Sequence, residues 1–449
     1  MGEWPYRSTG RARALVLLAL GIVKVATVEQ LRQLVLPGTA DLQTVRNACK
    51  DLRHAGLVES VGKTSRAGAG GRPVSLQLWN LTTAGLAAAV SELGRPVKEM
   101  GGTAREAAKA GAAHALAVTD TIDAFRQSPP LPTKPVARRG SVPVQGRELL
   151  ARPPGLGHLR GWETEVALPV VGTFTAPGKG SLRADAVLRA PEDGLPVLFV
   201  EVDNHTEPPA TVAAKIERYR TFFQRQVKDH RGQEVELWST VWEDSGRGGY
   251  PPLALVFTKD VGPEARARRV AAIRDASRPH WQARWTSYQG WSHDAREKDG
   301  WRDYTGTVPV IATHLEDLKA KGPHGAVWWR FGHSEGQTLT HALTNTNTHQ
   351  DYLARSEQRE AARAQAEPER RTGWGELKQT PWPCPSCGKD VFPGTVGEDN
   401  YQPAEGERCR RCELVRRDLL AERDAAVDAA PSNGILARLR ARAADRANP

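Results

Sequence analysis

The clearest patterning in this chain is a two-residue alternation in two neighbouring stretches. Between Ser181 and Ala190, Leu182, Ala184, Ala186 and Leu188 alternate with Arg183, Asp185, Val187 and Arg189, the period of a strand with two unlike faces. In the next stretch Leu198, Val200 and Val202 share one face, and Phe199, Glu201 and Asp203 share the other. The apolar content predicts burial, and a carboxylate taken out of water without a partner is costly. The acids of these strands therefore call for a cation, either a metal ion or a nearby Lys or Arg. A helix expected over Pro208 to Val227 follows and carries Lys215.

Before this region the apolar spacing is helical. Arg11 to Leu20 reads as a helix ending near Gly21, and Thr27 with Gln30 forms a capping box that opens a second through Leu31, Leu34 and Val35. The segment PGTA is a turn, and Asp41 is the expected cap of a third helix bearing Leu42, Val45, Ala48, Cys49 and Leu52, stopped by Gly56. Strands over Leu57 to Val61 and Val74 to Trp79 flank a basic loop, Lys63 to Arg72, and a helix begins near Ala84. After a linker, Arg105 to Phe125 is helical, and the Pro-, Arg- and Gly-rich run Gln127 to Gly157 reads as a long loop.

Further along, Trp162 to Pro169 is a candidate strand with Glu163 and Glu165 on one face. Pro252 to Thr258, Val308 to Ala312 and Gly325 to Phe331 are further strands, interleaved with helices over Gly262 to Ala276 and Thr313 to Lys319. Collected, the middle of the chain predicts an α/β sheet with helices packed on it. The expected organisation is a helical unit with a hairpin at 10–95, an α/β domain at 105–335, a charged linker helix at 350–375, and a last module with basic C-terminal helices at 380–449.

Charge and cysteine usage narrow the function classes. A formal charge of +10 favours a polyanionic partner such as nucleic acid or an anionic membrane surface. The apolar run Ala14 to Ala26 is broken by Gly21 and Lys24, too short to span a bilayer, and lacks a cleavage-site pattern, so the expectation is a cytoplasmic protein without membrane association. Four of the five cysteines form two CxxC pairs, Cys384 with Cys387 and Cys409 with Cys412, with 21 residues between the pairs. That spacing predicts a closed structural Zn²⁺ site in a zinc-ribbon-like module, with Arg408, Arg410 and Arg411 as an accessory DNA contact.

The order helix, helix, turn, helix, hairpin resembles a winged helix-turn-helix. The resemblance implies a third helix that offers Gln43, Thr44, Arg46, Asn47 and Lys50 to the major groove, and a wing whose Lys63, Arg66 and Arg72 meet phosphates. The middle of the chain, with an acid in its second strand and an acid pair in its third, resembles the PD-(D/E)xK nuclease superfamily, which implies a restriction-endonuclease-like fold. Asp185 takes the first acid position and Glu201 the second, while Asp203 stands where the superfamily has its lysine, either as a further metal ligand beside Glu201 or as the mark of a fold that survives without cleavage. Two such carboxylates are a candidate Mg²⁺ site, with Glu165 or Glu163 as a further ligand and Lys215 reaching back from the next helix. The alternative is a structural network salt-bridged by Arg183, Arg189 or Lys215. His114 and His205 are candidates for the same neighbourhood.

Taken together, HALAVTD from His114, WETE from Trp162, RADAVL from Arg183, FVEVDNHTEPP and AAKIERY resemble the replication-relaxation family of actinobacterial plasmids and integrative elements over roughly residues 10 to 335. This implies a DNA-binding protein acting in plasmid replication, maintenance or transfer alongside other replication or transfer proteins. The competing expectations are a metal-dependent DNA endonuclease and a non-catalytic regulator. The tryptophans Trp281, Trp285, Trp291 and Trp301 lie among Arg, His and Lys, a pattern open to base stacking or to core packing.

Overall fold

The computed structural model describes residues 4–36, 42–67, 72–94, 105–126, 155–156, 161–287, 299–375, 381–392 and 401–428. The turn at 37–40, the Asp41 cap, the 95–104 linker, most of the 127–157 loop, Trp291 and the basic helix expected over 435–446 lie outside them. The described residues form a mixed α/β architecture in two compact units, Met1–Leu353 and Ala354–Pro449.

The first unit opens with α1 (Gly10–Val23), the short β1 (Ala26–Thr27), α2 (Val28–Val35), α3 (Gln43–His54), a hairpin of β2 (Val58–Ala67) and β3 (Pro73–Leu81), and α4 (Thr83–Leu93). Local chemistry sets these boundaries. The Thr9 hydroxyl accepts the Ala12 N–H at 3.1 Å to start α1, which runs past Gly21 and ends at Lys24 with φ 64°. Both halves of the Thr27 and Gln30 capping box form at the start of α2. Asp51 of α3 is fully buried and accepts the N–H groups of Tyr6 (2.8 Å) and Ser8 (2.9 Å), which ties the N-terminal segment down. The hairpin is longer than its apolar pattern predicts, because Lys63, Thr64 and Ser65 carry no alternation while backbone pairing continues out to Ala67 against Pro73.

Next come α5 (Arg105–Phe125), β4 (Gly161–Leu168), β5 (Leu182–Ala190), β6 (Leu195–Asp203), α6 (Pro209–Phe223), a small hairpin of β7 (Gln226–Lys228) and β8 (Glu234–Glu236), β9 (Leu253–Phe257), α7 (Pro263–Ala276) and α8 (Arg278–Trp281). A second small hairpin, β10 (Arg284–Ser287) and β11 (Gly300–Asp303), precedes β12 (Val310–His314), α9 (Leu315–Lys321), β13 (Trp329–Arg330) and α10 (Leu339–Leu343). The six-stranded sheet has the order β13-β12-β9-β6-β5-β4. Its β4, β5 and β6 form an antiparallel meander, β6, β9 and β12 run parallel, and β13 closes the edge antiparallel. The last strand is shorter than expected, since Trp328 leaves the ladder to pair with Gln337 across a single bridge.

Each sheet face is covered. Leu198, Val200, Val202, Ala254, Val256 and Ile311 pack with Ile122 and Phe125 of α5, in a cluster that continues into Val16 and Leu20 of α1. On the other face Phe199, Leu253, Leu255 and Phe257 meet Ile216, Tyr219, Phe222 and Phe223 of α6. The two faces of β6 are therefore as its alternation predicts. Those of β5 are not: Leu182 and Ala184 join the α6 face together with Val187, whereas Ala186 and Leu188 join the α5 face. The change of parity falls at Asp185, beside the β4 residue Glu165, which takes a left-handed backbone with φ 55°.

Within this unit α5 links the N-terminal helices to the sheet. Gln30 of α2 donates to the Leu116 carbonyl (3.0 Å) and to Asp120 (2.7 Å), and Lys319 of α9 pairs with Asp120 from the other side at 3.3 Å.

The second unit holds most of α11 (His349–Gly375), the paired strands β14 (Trp382–Pro383) and β15 (Asp390–Val391), and α12 (Arg410–Asp428). No helix among the described residues is long and apolar enough to cross a membrane.

Candidate functional site

Pairing between β5 and β6 proceeds up to Ala186 against Val200 and then stops. Past that point Asp185 uses its side chain instead: Oδ2 accepts the Val202 N–H at 2.7 Å. The two strands part where both carry an acid, and helices from the two sheet faces reach the gap. From α5, His114 Nε2 stands 3.0 Å from Asp185 Oδ1. From α6, Lys215 Nζ lies 3.3 Å from Glu201 Oε2, and the Tyr219 hydroxyl donates to Glu201 Oε1 at 2.8 Å. Lys215 and Tyr219 are four residues apart and so share a helix face. His114, Glu201, Asp203, Asn204, Glu207 and Lys215 line a cleft of about 400 Å³.

The electrostatics follow from burial. Glu201 is 3% exposed, and loss of water together with the charge of Asp185 pushes its carboxyl up to about 8, against the pull of Lys215 and Tyr219. The hydrogen bond to Asp185 holds His114 above its ordinary value despite partial burial, with Glu165 and Glu201 adding to the effect. Burial opposes the charge on Lys215, but Glu201, Asp185 and Glu207 outweigh it and keep the ammonium above its usual range.

The other expected acids have separate partners. Asp203 is held in a two-pronged bond by Arg269 of α7, Nε to Oδ2 at 2.6 Å and Nη2 to Oδ1 at 2.9 Å, and it also accepts the His205 N–H at 2.8 Å. Glu165 pairs with Lys24 at 3.3 Å, and Glu163 with Arg189 at 3.4 Å. Arg183 donates to the Glu165 carbonyl. Of the three cations named as a structural alternative, Lys215 is the one the structure brings to Glu201. His205 does not join the gap. Its ring lies 6.0 Å from that of Phe257, and burial lowers its pKa. Sequence reasoning missed Arg269 and Tyr219. The spacing of Tyr219 from Lys215 was a usable signal, whereas Arg269 gave no more than one charge in a basic run.

In the second unit the sulfurs of Cys384, Cys387, Cys409 and Cys412 all lie within 4.8 Å of one another. Cys387 and Cys409 sulfurs are 3.7 Å apart, close to the edge of about 3.8 Å expected for a tetrahedron with metal–sulfur bonds of about 2.3 Å. The first knuckle closes through Cys384 N–H to the Lys389 carbonyl (2.8 Å) and Gly388 N–H to the Cys384 carbonyl (2.9 Å), with Gly388 at φ 71°, where a side chain would be strained. The Cys409 N–H donates to Cys384 Sγ at 3.2 Å, and this and neighbouring backbone donors lower that thiol to about 6. A donor set of four convergent thiols fits a metal ion such as zinc. Cys49 takes no part: it is buried in α3, and burial raises its thiol to about 12.

On α3, Gln43, Arg46 and Lys50 are exposed, Thr44 and Asn47 are half-buried, and Val45, Ala48, Cys49 and Leu52 face the core. The Gln43 amide donates to Asn47 Oδ1 at 2.7 Å, and Lys50 Nζ lies 5.0 Å from the centre of the Tyr6 ring. Lys63 and Arg72, at the outer half of the hairpin, are exposed. Arg66 is placed by its backbone register opposite Val74, and its side chain lies outside the described set.

Residues 17–237 match the family model described as Replication-relaxation. The match takes in the second half of α1, then α2, α3 and the hairpin before the sheet, the acidic gap between β5 and β6, and all of α6. It excludes Arg269 and the cysteine cluster. It points to a role in replication or relaxation of a plasmid or mobile element. No curated protein and no solved structure matches the chain.

Proposed function

We propose that this protein binds DNA in the replication, maintenance or transfer of a plasmid or mobile element, through a winged helix-turn-helix formed by α1 to α3 and the β2–β3 hairpin. The observation that carries this reading is the segregation of α3: its apolar positions face the core, while Gln43, Arg46 and Lys50 face out beside the basic hairpin. Among the described residues no carboxylate pairs with Arg46 or Lys50, so both cations are available to a polyanion. The α3 side chains would enter the major groove, and Lys63, Arg66 and Arg72 would contact phosphates. The test is fluorescence anisotropy of labelled duplex DNA. Replacing Arg46 and Lys50 by Ala is expected to weaken binding by about tenfold or more. Unchanged affinity sinks the reading.

A second reading, metal-dependent DNA cleavage by a PD-(D/E)xK-like domain, is favoured by one observation: Asp185 and Glu201 meet where β5 and β6 part, with Lys215 beside them. These two carboxylates would hold Mg²⁺, which supplies an activated water and charge neutralisation at phosphate. In this reading Lys215 replaces the lysine that Asp203 displaces, and His114 holds or releases a proton at Asp185 Oδ1. Asp203 serves instead to anchor α7 through Arg269. Incubating supercoiled plasmid with Mg²⁺ or Mn²⁺ decides it: nicking should vanish in both Asp185→Ala and Glu201→Ala. Intact DNA with retained binding removes cleavage and leaves a non-catalytic regulator.

The four cysteines are proposed to hold a structural Zn²⁺. Exposed Arg410 and Arg411 adjoin this site as a candidate accessory DNA contact.

A further inference from the structure

A second cleft in the first unit is lined by Trp281, Arg302, Tyr304, Arg330, Phe331 and His333. Close packing builds it: Gly332 has φ 92°, and a Cβ there would come within 2.9 Å of the Trp281 ring. Arg330 of β13 is 5% exposed. Its guanidinium donates to the carbonyls of Ala342 (3.1 Å) and Thr344 (2.9 Å) and to Asn345 Oδ1, all neutral oxygens. The Tyr304 ring lies 5.5 Å away. Among the described residues no carboxylate forms an ion pair with Arg330 or with the exposed Arg302. A buried cation balanced only by dipoles is an expensive arrangement, and a bound anion would offset that cost.

Two further groups point the same way. Gln337 also lines the cleft, and its Oε1 is buried without a hydrogen-bond partner while its amide nitrogen lies 3.1 Å from His333 Nδ1. That oxygen awaits a donor. Burial, with Arg330 and Arg302 adding, holds His333 below its ordinary pKa, so the positive potential of the cleft is felt by its own side chains. Glu335 is the acid among the lining residues.

We infer that this cleft binds the phosphate of a nucleotide, with Arg330 and Arg302 on the phosphate oxygens, Trp281 and Tyr304 offering aromatic surface to the base, and Gln337 Oε1 accepting from a hydroxyl or amino group. Guanidinium forks suit phosphate, and bases stack on aromatic rings without regard to sequence. The site is separate from the acidic gap and from α3, so it stands whether or not either of those acts on DNA. The phosphate has two sources, a free nucleotide or the 5′ end of a strand.

Calorimetric titration of the full chain tests this with deoxyadenosine monophosphate, deoxyadenosine and inorganic phosphate. The monophosphate is expected to bind, the nucleoside to bind at least tenfold more weakly, and inorganic phosphate to compete. Arg302→Ala, at an exposed position, should weaken monophosphate binding about tenfold without loss of fold. Arg330→Gln should abolish it, with circular dichroism reporting whether the unit survives. A short 5′-phosphorylated oligonucleotide that outcompetes its 5′-hydroxyl twin, and loses this advantage in Arg302→Ala, assigns the site to strand ends. Twins that compete equally assign it to free nucleotides. Equal binding of nucleoside and monophosphate, or monophosphate affinity untouched by Arg302→Ala, overturns the inference.

Discussion

Asp185, Glu201 and Asp203 lie close along two strands, yet each has its own partner: His114, the Lys215 and Tyr219 pair, and Arg269. Glu201 carries the heaviest electrostatic load. Its ordinary carboxyl value of 4.5 rises to about 8 in the folded chain. Between those values the unfolded chain gives up a proton that the native state keeps, so this residue's contribution to stability is complete below about pH 4.5 and is lost as pH rises through about 8. His114, with its value also raised, adds a loss of the same sign as pH climbs through its folded value. Denaturant unfolding of Glu201→Gln across this window should therefore show a flatter pH profile than wild type, with a difference on the order of 5 kcal/mol accumulating between its ends. Parallel profiles would mean that Glu201 is ionised throughout. At this scale the acids were legible in sequence because carboxylates on apolar strands need an explanation. Lys215 and His114 were legible as candidate partners, but the partner of Asp203 was not, since Arg269 lies 66 residues away and nothing in a basic run marks which of its guanidiniums turns inward.

Elements whose apolar positions repeat were read well. The capping box of α2, the faces of β6, the extent of α5 and the alternation of helices and strands through β12 follow from side-chain period and end chemistry. Elements without an apolar signature escaped. The outer half of the β2–β3 hairpin and the pairs β7–β8 and β10–β11 rest on backbone pairing, which leaves little trace in composition. The parity change in β5 escaped for a different reason: it depends on the backbone of Glu165 in the neighbouring strand. The Trp-rich stretch resolves in part into packing, since Trp281 lies against Phe331 and Trp301 against Tyr352.

The cysteine module is the element where sequence spacing carried furthest, because two short knuckles leave four thiols few arrangements. Its strands β14 and β15 have two residues each and little core, so metal binding would supply most of its folding energy. Treatment with a strong chelator should open residues 384–412 to proteolysis while the first unit stays resistant, and added Zn²⁺ should restore protection. Indifference to the chelator would count against a structural metal.

At the scale of the whole molecule, a net charge of +10 is expressed on surfaces as well as in totals: the outer face of α3 carries Arg46 and Lys50 and the outer half of the β2–β3 hairpin carries Lys63 and Arg72, all exposed, whereas the acids Asp185, Glu201 and Asp203 are matched one by one. The Replication-relaxation match, over residues 17–237, spans both the helices that carry the basic surface and the acidic gap. The α5 helix joins them, touching α2 through Gln30 and the gap through His114. DNA binding and any chemistry at the gap would thus share one compact body, but they depend on different charges and can be separated by substitution.

The measurement that bears most directly on DNA binding is the salt dependence of affinity for an arbitrary duplex, which needs no knowledge of a target sequence. Each phosphate contact contributes about 0.9 to the slope of log affinity against log salt concentration. For Lys63→Ala combined with Arg72→Ala, we predict a slope reduced by about 2, while Asp185→Ala combined with Glu201→Ala leaves it unchanged. A slope that ignores the hairpin variant would contradict the account.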